Sequence, residues 1–129
     1  MADVPEVDYA LDTYECIVFY PGPAGRVLKP ETARKIQGEH AAYLQKLHER
    51  GVILVAGAVD GQARNPDPPC GFGLCRTGSV SDVRLLVSAD PGVQAGLYRV
   101  DVLTFLAPAG SLAFPQAAGR AFPAGGEEA

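Results

Sequence analysis

The chain has 129 residues, enough for one domain with a real core and too few for two. Hydrophobic residues at 47% and charged residues at 20% give the balance of an ordinary globular protein, and the net charge of −4 argues against a nucleic-acid binder, which needs a basic face to displace counterions. The longest apolar runs, such as Val52 to Val59, stop far short of a bilayer, and the acidic first residues lack the basic start and apolar stretch of a secretory signal, so neither membrane nor nucleic acid is expected as a partner and the location is expected to be cytoplasmic.

Residues 1–12 carry Asp3, Glu6, Asp8 and Asp12 with little apolar pattern and are expected to form a flexible arm. Cys16 to Tyr20 is β-branched and aromatic, the mark of a strand, and Pro21-Gly22-Pro23 stops it. A helix is predicted from Pro30–Thr32 to Arg50, with proline and Glu31 suiting its first turn and Gly51 its left-handed stop. The five basic residues from Arg26 to Lys46 alternate with acids and apolar positions and read as a solvated face. Val52 to Val59 is a second strand, followed by a polar, proline-rich loop from Asp60 to Pro69 and a short strand from Gly71 to Arg76. Ser79 or Ser81 then caps a helix through Val83, Leu85, Leu86 and Val87. Asp90-Pro91 breaks that helix, and Leu97 to Leu106 is the last strand. Residues 108–129 shift to Ala, Gly and Pro and read as a mobile tail, in which Leu112, Phe114 and Phe122 are candidates for docking.

One domain over residues 13–107 follows, α+β, in the order β-α-β-β-α-β. This is the ferredoxin-like split pattern, with two helices on one face of a four-stranded antiparallel sheet. Strands apolar on both sides (Ile17, Val18, Phe19; Ile53, Leu54, Val55) leave the second face wanting cover, so a homodimer packed sheet to sheet is expected.

The first helix carries the site candidate. With His40 set to zero at 100° per residue, Ala33 lies at about +20°, Ile36 at about −40°, Tyr43 at about −60°, Leu44 at about +40° and Leu47 at about −20°. His40 therefore sits mid-stripe, aimed at the sheet, whereas His48 at about +80° falls on the border and is read as a surface residue. Two readings of His40 stay open here. It is either a core histidine whose nitrogens are satisfied by backbone or Tyr43, or an acid–base group facing a pocket and tuned by a carboxylate.

Three cysteines, Cys16, Cys70 and Cys75, lie apart from both histidines and form no CxxC, so they read as small buried side chains. There is no GxGxxG after a strand, no P-loop and no His/Cys cluster, so no metal and no organic cofactor is expected.

Two motifs resemble the YCII-related family. The first is Glu39-His40-Ala41-Ala42-Tyr43-Leu44 with Leu47, Gly51, Leu54 and Ala56-Gly57; the second is Ala89-Asp90-Pro91 with Val93, Ala95-Gly96 and Tyr98. The resemblance spans roughly residues 14 to 107. It implies a dimeric ferredoxin-like α/β barrel, similar to muconolactone isomerases, with an active-site histidine–aspartate pair and no cofactor. Among relatives it implies chemistry such as dehydrochlorination of a chlorinated hydroxyhydroquinone. By position His40 matches the family histidine and Asp90 the aspartate, with Asp60, just past the second strand, as competitor. Gly57-Ala58 departs from the family's Gly-Pro, which loosens the loop expected to rim the pocket.

Asp90 also has a plain reading as a turn former whose carboxylate bonds nearby backbone N–H groups. Tyr20, Tyr43 and Tyr98 offer phenols that either line a pocket or simply pack. Arg99 shares a strand face with Asp101 and is either a substrate anchor or part of an interface. The expected function is a cofactor-independent enzyme in which His40 and Asp90 are catalytic and Tyr20, Tyr43, Asp60 and Arg99 contact substrate. The substrate is expected to be a cyclic or aromatic hydroxylated molecule, and the step isomerase, lyase or dehydrohalogenase in type. The rivals are a non-catalytic dimeric ligand-binding protein on the same fold and, with less support because Trp is lacking, a cofactor-free oxygenase.

Overall fold

The computed structural model describes residues 10–60 and 66–114. Four strands, β1 (Leu11–Pro21), β2 (Ile53–Ala58), β3 (Gly71–Cys75) and β4 (Tyr98–Pro108), form one antiparallel sheet in the order β2-β3-β1-β4. Helices α1 (Pro30–Glu49) and α2 (Val80–Ser88) cover one face, and a one-turn helix α3 (Pro91–Gln94) links α2 to β4. This is the α+β, ferredoxin-like β-α-β-β-α-β arrangement, with α3 as an addition that the Asp90-Pro91 break concealed.

Local chemistry sets the ends of the helices. Pro30 and Glu31 open α1. Gly51, at φ +81°, closes it: the Gly51 N–H donates to the His48 carbonyl and the Val52 N–H to the Leu47 carbonyl, the double bond of a Schellman stop. Gly96, at φ +77°, closes α3 in the same way, with bonds to the carbonyls of Val93 and Gly92. Ser79 Oγ accepts from the Asp82 N–H at 3.1 Å and so is the cap of α2.

Strand alternation decides what faces the helices. Ile17 and Phe19 of β1 and Val102 of β4 point toward Leu44 and Leu47 of α1 and Val83 and Val87 of α2, and all are buried. Tyr14, Cys16 and Leu74 point the other way and form a second cluster, which Phe114 joins from beyond β4. On that open face Phe72, Leu103 and Phe105 keep 38%, 52% and 41% of their surface in contact with solvent.

Several expectations are corrected. β1 begins at Leu11, inside the expected arm, because Leu11 and Asp12 continue the ladder to Pro108 and Ala107 of β4. Asp12 accepts from Arg76 and from the Gly110 N–H, both at 2.9 Å, which ties the start of β1 to the turn after β4. The tail is accordingly ordered through Phe114, whose ring meets Tyr14 edge-on at 6.1 Å. Residues 1–9 of the arm, residues 61–65 of the loop, and residues 115–129 of the tail, Phe122 included, lie outside the described residues. His48 is half-buried instead of exposed, its Nδ1 2.9 Å from the Ile53 carbonyl, because the Schellman stop folds β2 back beside the last turn of α1.

Glu15 was no candidate in sequence, yet it is 2% exposed within β1. Its carboxylate accepts from the Thr77 N–H at 2.8 Å, the Thr77 hydroxyl at 2.7 Å and the Gly78 N–H at 3.3 Å, pinning the turn between β3 and α2. Hydrogen bonds to a charged group contribute more than neutral ones, but Thr77 and Gly78 are themselves exposed, so water can replace part of the loss. Glu15→Ala is therefore expected to cost roughly 1–3 kcal/mol, read as a lower urea midpoint at unchanged m-value.

Candidate active site

His40 projects from the middle of α1 toward β1 and β4. Asp90 follows the end of α2, in extended backbone immediately before Pro91. Fifty residues apart in the chain, they meet: His40 Nδ1 lies 2.6 Å from Asp90 Oδ2. Asp90 is fully buried and the His40 side chain is 15% exposed. The turn-former reading of Asp90 fails here, since its carboxylate makes no capping bond to α3. Its second oxygen, Oδ1, has no hydrogen-bond partner among the described residues.

A carboxylate accepts, so the bond places the proton on Nδ1 and leaves Nε2 with a lone pair. Two rings hold the imidazole in place. Phe19 meets it edge-on at 5.0 Å and Tyr98 lies 4.5 Å away at 41°. The backbone of α3 comes close enough to hold both: a Cβ on Gly92 would stand 2.6 Å from Tyr98 Cδ2 and 3.2 Å from His40 Cβ. Only glycine fits there.

His40 also lines a cavity of about 600 Å³ between one flank of α1 and strands β2 and β3. Phe19, Leu44, Ala56 and Tyr98 supply apolar walls, Gly38 and Gly71 supply room, and Arg34 and Gln37 stand on the α1 side. Burial, then the nearby Cys70 and Asp90, push the Tyr98 phenol above its ordinary value, against a lowering hydrogen bond with Gln37. Tyr98 therefore stays protonated, a donor at the His40 side of the cavity. Cys70 lines the cavity as well, and burial holds its thiol in the protonated form. Burial, followed by Glu15 and Cys16, pushes Cys75 up to about 12, so it too is an inert thiol.

The family model of the YCII-related domain matches residues 14–106, most of the chain. This chain belongs to the YCII-related domain family. Among solved structures it is similar to the 5-chloro-2-hydroxyhydroquinone dehydrochlorinase of Burkholderia phenoliruptrix AC1100, determined in complex with 2,5-dihydroxybenzoquinone. The two share 21% identity with a TM-score of 0.41, over 70% of this chain and 90% of that one. No curated protein matches the sequence.

In this YCII-related domain the structure brings His40 and Asp90 together and leaves the other candidates elsewhere. Asp60 is exposed beyond the end of β2 and does not line the cavity, so Asp90 is the partner of His40. Tyr43 turns toward α2, where its hydroxyl donates to the Leu86 carbonyl at 2.6 Å; burial, and then Asp90, raise its pKa. Tyr20 is paired opposite Arg99 on the open face of the sheet, one residue out of phase with Phe19. There the Arg99 guanidinium stacks 5.1 Å from the Tyr20 ring and pairs with Asp67, so neither residue reaches the cavity. Sequence reasoning missed Arg34, Gln37, Gly38 and Gly92. For the first three a signal existed: with Ala41 and Leu44 they occupy about +40° to +160° on the α1 wheel, a flank of small and polar residues beside the apolar stripe. Gly92 gave none, because its need for a bare Cα arises only from contact.

Among the described residues no group of three His, Cys, Asp or Glu side chains is placed to hold a metal ion, and no helix is long and apolar enough to cross a membrane.

Proposed function

We propose that this chain is a cofactor-independent enzyme that moves a proton on a cyclic or aromatic hydroxylated small molecule, with His40 as acid–base group and Asp90 as its positioning residue. The observation that carries the reading is an imidazole bonded through Nδ1 to a fully buried carboxylate while its Nε2 has no partner among the described residues, at the wall of a largely apolar cavity. A core histidine ordinarily has both nitrogens satisfied. Here the fold instead buries Asp90 with one oxygen unpartnered, at a cost of about 1–3 kcal/mol, to hold one ring nitrogen. Such costs concentrate at working sites.

The chemistry then follows. Nε2 takes a proton from a hydroxyl or an activated C–H of the substrate, and the positive charge that develops on the ring is stabilised by Asp90. The electron pair left on the substrate forms a new π bond. In an elimination a leaving group such as chloride departs with its own pair; in an isomerisation Nε2–H returns the proton to another carbon. Tyr98, held protonated, is placed to donate to a substrate oxygen. No electron leaves the substrate, so the step needs no redox partner. Free Cys16, Cys70 and Cys75 suit a reducing compartment and support a cytoplasmic location.

The open sheet face supports a homodimer. Phe72, Leu103 and Phe105 form an apolar surface over Cys16 and Leu74 that a second copy would cover. Closure of two sheets in this way is the dimeric α/β barrel.

Deuterium exchange tests the enzyme reading even while the product is unidentified. In D₂O, the protein is expected to accelerate exchange at a ring or adjacent C–H in a panel of hydroxylated cyclohexenones, hydroquinones and chlorohydroquinones, followed by ¹H NMR. Compounds that bind while none exchanges or turns over would favour the ligand-binding protein.

A further inference from the structure

We propose that the α1 flank carrying Arg34 and Gly38 selects ligands in which a single ring bears a carboxylate, the carboxylate held by Arg34 and the ring lying against the bare backbone at Gly38. The inference deepens the proposed function and rests on it only for the statement that the bound molecule is the substrate.

Gly38 is the first observation. It lies in the interior of a 20-residue helix, where glycine weakens the helix relative to alanine. Nothing in the fold asks for it. It has no positive φ, and a Cβ built there would meet no atom of the described residues within 4 Å. Gly92 shows the contrast, being glycine because His40 and Tyr98 press on it. Gly38 instead opens onto the cavity. A glycine that costs helix stability, has no crowding neighbour and lines a cavity is explained by close approach of a ligand to the backbone.

Charge is the second observation. Arg34 lies one helical turn before Gly38 on the same flank and also lines the cavity. No acidic side chain lines it among the described residues, and Arg34 makes no ion pair with any of them. The acid nearest in the mechanism, Asp90, is committed to His40 from behind. In a chain of net charge −4, the cavity therefore presents a cation. A guanidinium presents a planar fork of donors that matches a carboxylate.

Spacing is the third. His40 and Arg34 are six residues apart, about 9 Å along the axis. That separation suits one ring with its carboxylate at the Arg34 end and a reacting carbon at the His40 end, with a hydrogen bond at each. Along the axis Gly38 lies between them, and Phe19 and Ala56 offer apolar walls from the sheet.

The test uses the full chain and two matched probes, 2,5-dihydroxybenzoate and the neutral 2,5-dihydroxybenzamide, titrated by calorimetry. The acid is expected to bind at least 10-fold more tightly. In Arg34→Gln the difference should collapse to within about 2-fold, through loss of acid binding with amide binding unchanged. Gly38→Leu should abolish binding of both, while Gly38→Ala should weaken binding yet raise Tm by roughly 4 °C. Equal affinity of the two probes, absence of binding by either, a preference that survives Arg34→Gln, or normal binding by Gly38→Leu would each overturn the proposal. His40→Gln separates it from the proton-transfer reading. Retained acid preference in that variant, with no exchange even in the wild type, would leave this proposal standing and sink the other; exchange of neutral rings with no preference for acids would do the reverse.

Discussion

His40→Gln is expected to fold and remain in the wild-type oligomeric state while losing turnover by roughly 100-fold or more. Glutamine fills most of the imidazole's space, and its amide can still donate to Asp90, so the buried carboxylate keeps a partner. It cannot take up a proton. The loss should fall on kcat more than on KM, because the walls that bind the ring (Phe19, Leu44, Ala56 and Tyr98) are untouched. If His40 were only a packing residue, the same substitution would lower stability with little effect on turnover, and His40→Ala would behave as a cavity mutant costing about 1–3 kcal/mol. Urea midpoints and steady-state kinetics on the two variants tell these outcomes apart. Asp90→Asn sharpens the result. An asparagine amide can donate to Nδ1, which drives the ring proton to Nε2 and leaves no lone pair toward the cavity. That variant should fold, lose turnover by about 100-fold or more, and show the exchanged tautomer in the ¹⁵N shifts of His40. An unchanged tautomer and normal turnover would sever the pair.

Charge on the open sheet face is expected to abolish the proposed dimer. Leu103 and Phe105 retain about half of their surface in the single chain, so burying the remainder contributes about 1 kcal/mol for each. In a two-fold interface both residues occur twice, giving about 4 kcal/mol, or roughly 1,000-fold in Kd, before the repulsion between introduced charges is added. Leu103→Glu combined with Phe105→Glu should therefore sediment as a monomer at micromolar protein, where the wild type sediments as a dimer. Its fold should survive, because both side chains already face solvent in the single chain. A wild type that is strictly monomeric at the same concentration would leave the face uncovered and sink the barrel.

The elements themselves were legible because their causes are local. Proline at the start of α1, glycine at its end and Ser79 before α2 act through bonds a few residues long, and sequence displays them directly. The place of His40 was legible for a related reason: a helix has a fixed period, so a polar residue in mid-stripe stands out. What failed had non-local causes. β1 was drawn too short at its start, since Leu11 and Asp12 become strand only through the ladder with β4. Glu15 lay inside an apolar run with no sign that Thr77 and Gly78 would satisfy it. Tyr20 and Arg99 are the exception, a local signal left unused: strand parity alone places them on the opposite face of the sheet from Phe19 and Tyr98.

By itself, then, the sequence determined the order β-α-β-β-α-β, the family and the histidine set in mid-stripe of α1, to which we assign the acid–base work. Tertiary structure decided which carboxylate that histidine meets. Asp60 and Asp90 were rival claimants along the chain, and the choice rests on the crossing of α1 with the α2–α3 corner, which buries Asp90 against Nδ1 and leaves Asp60 in water. It also decided that the flank with Arg34 and Gly38, and not Tyr20, Tyr43 or Arg99, borders the cavity. The physical reason is that periodicity reports which side of an element faces inward. The packing of two elements against each other sets which inward groups come within a hydrogen bond.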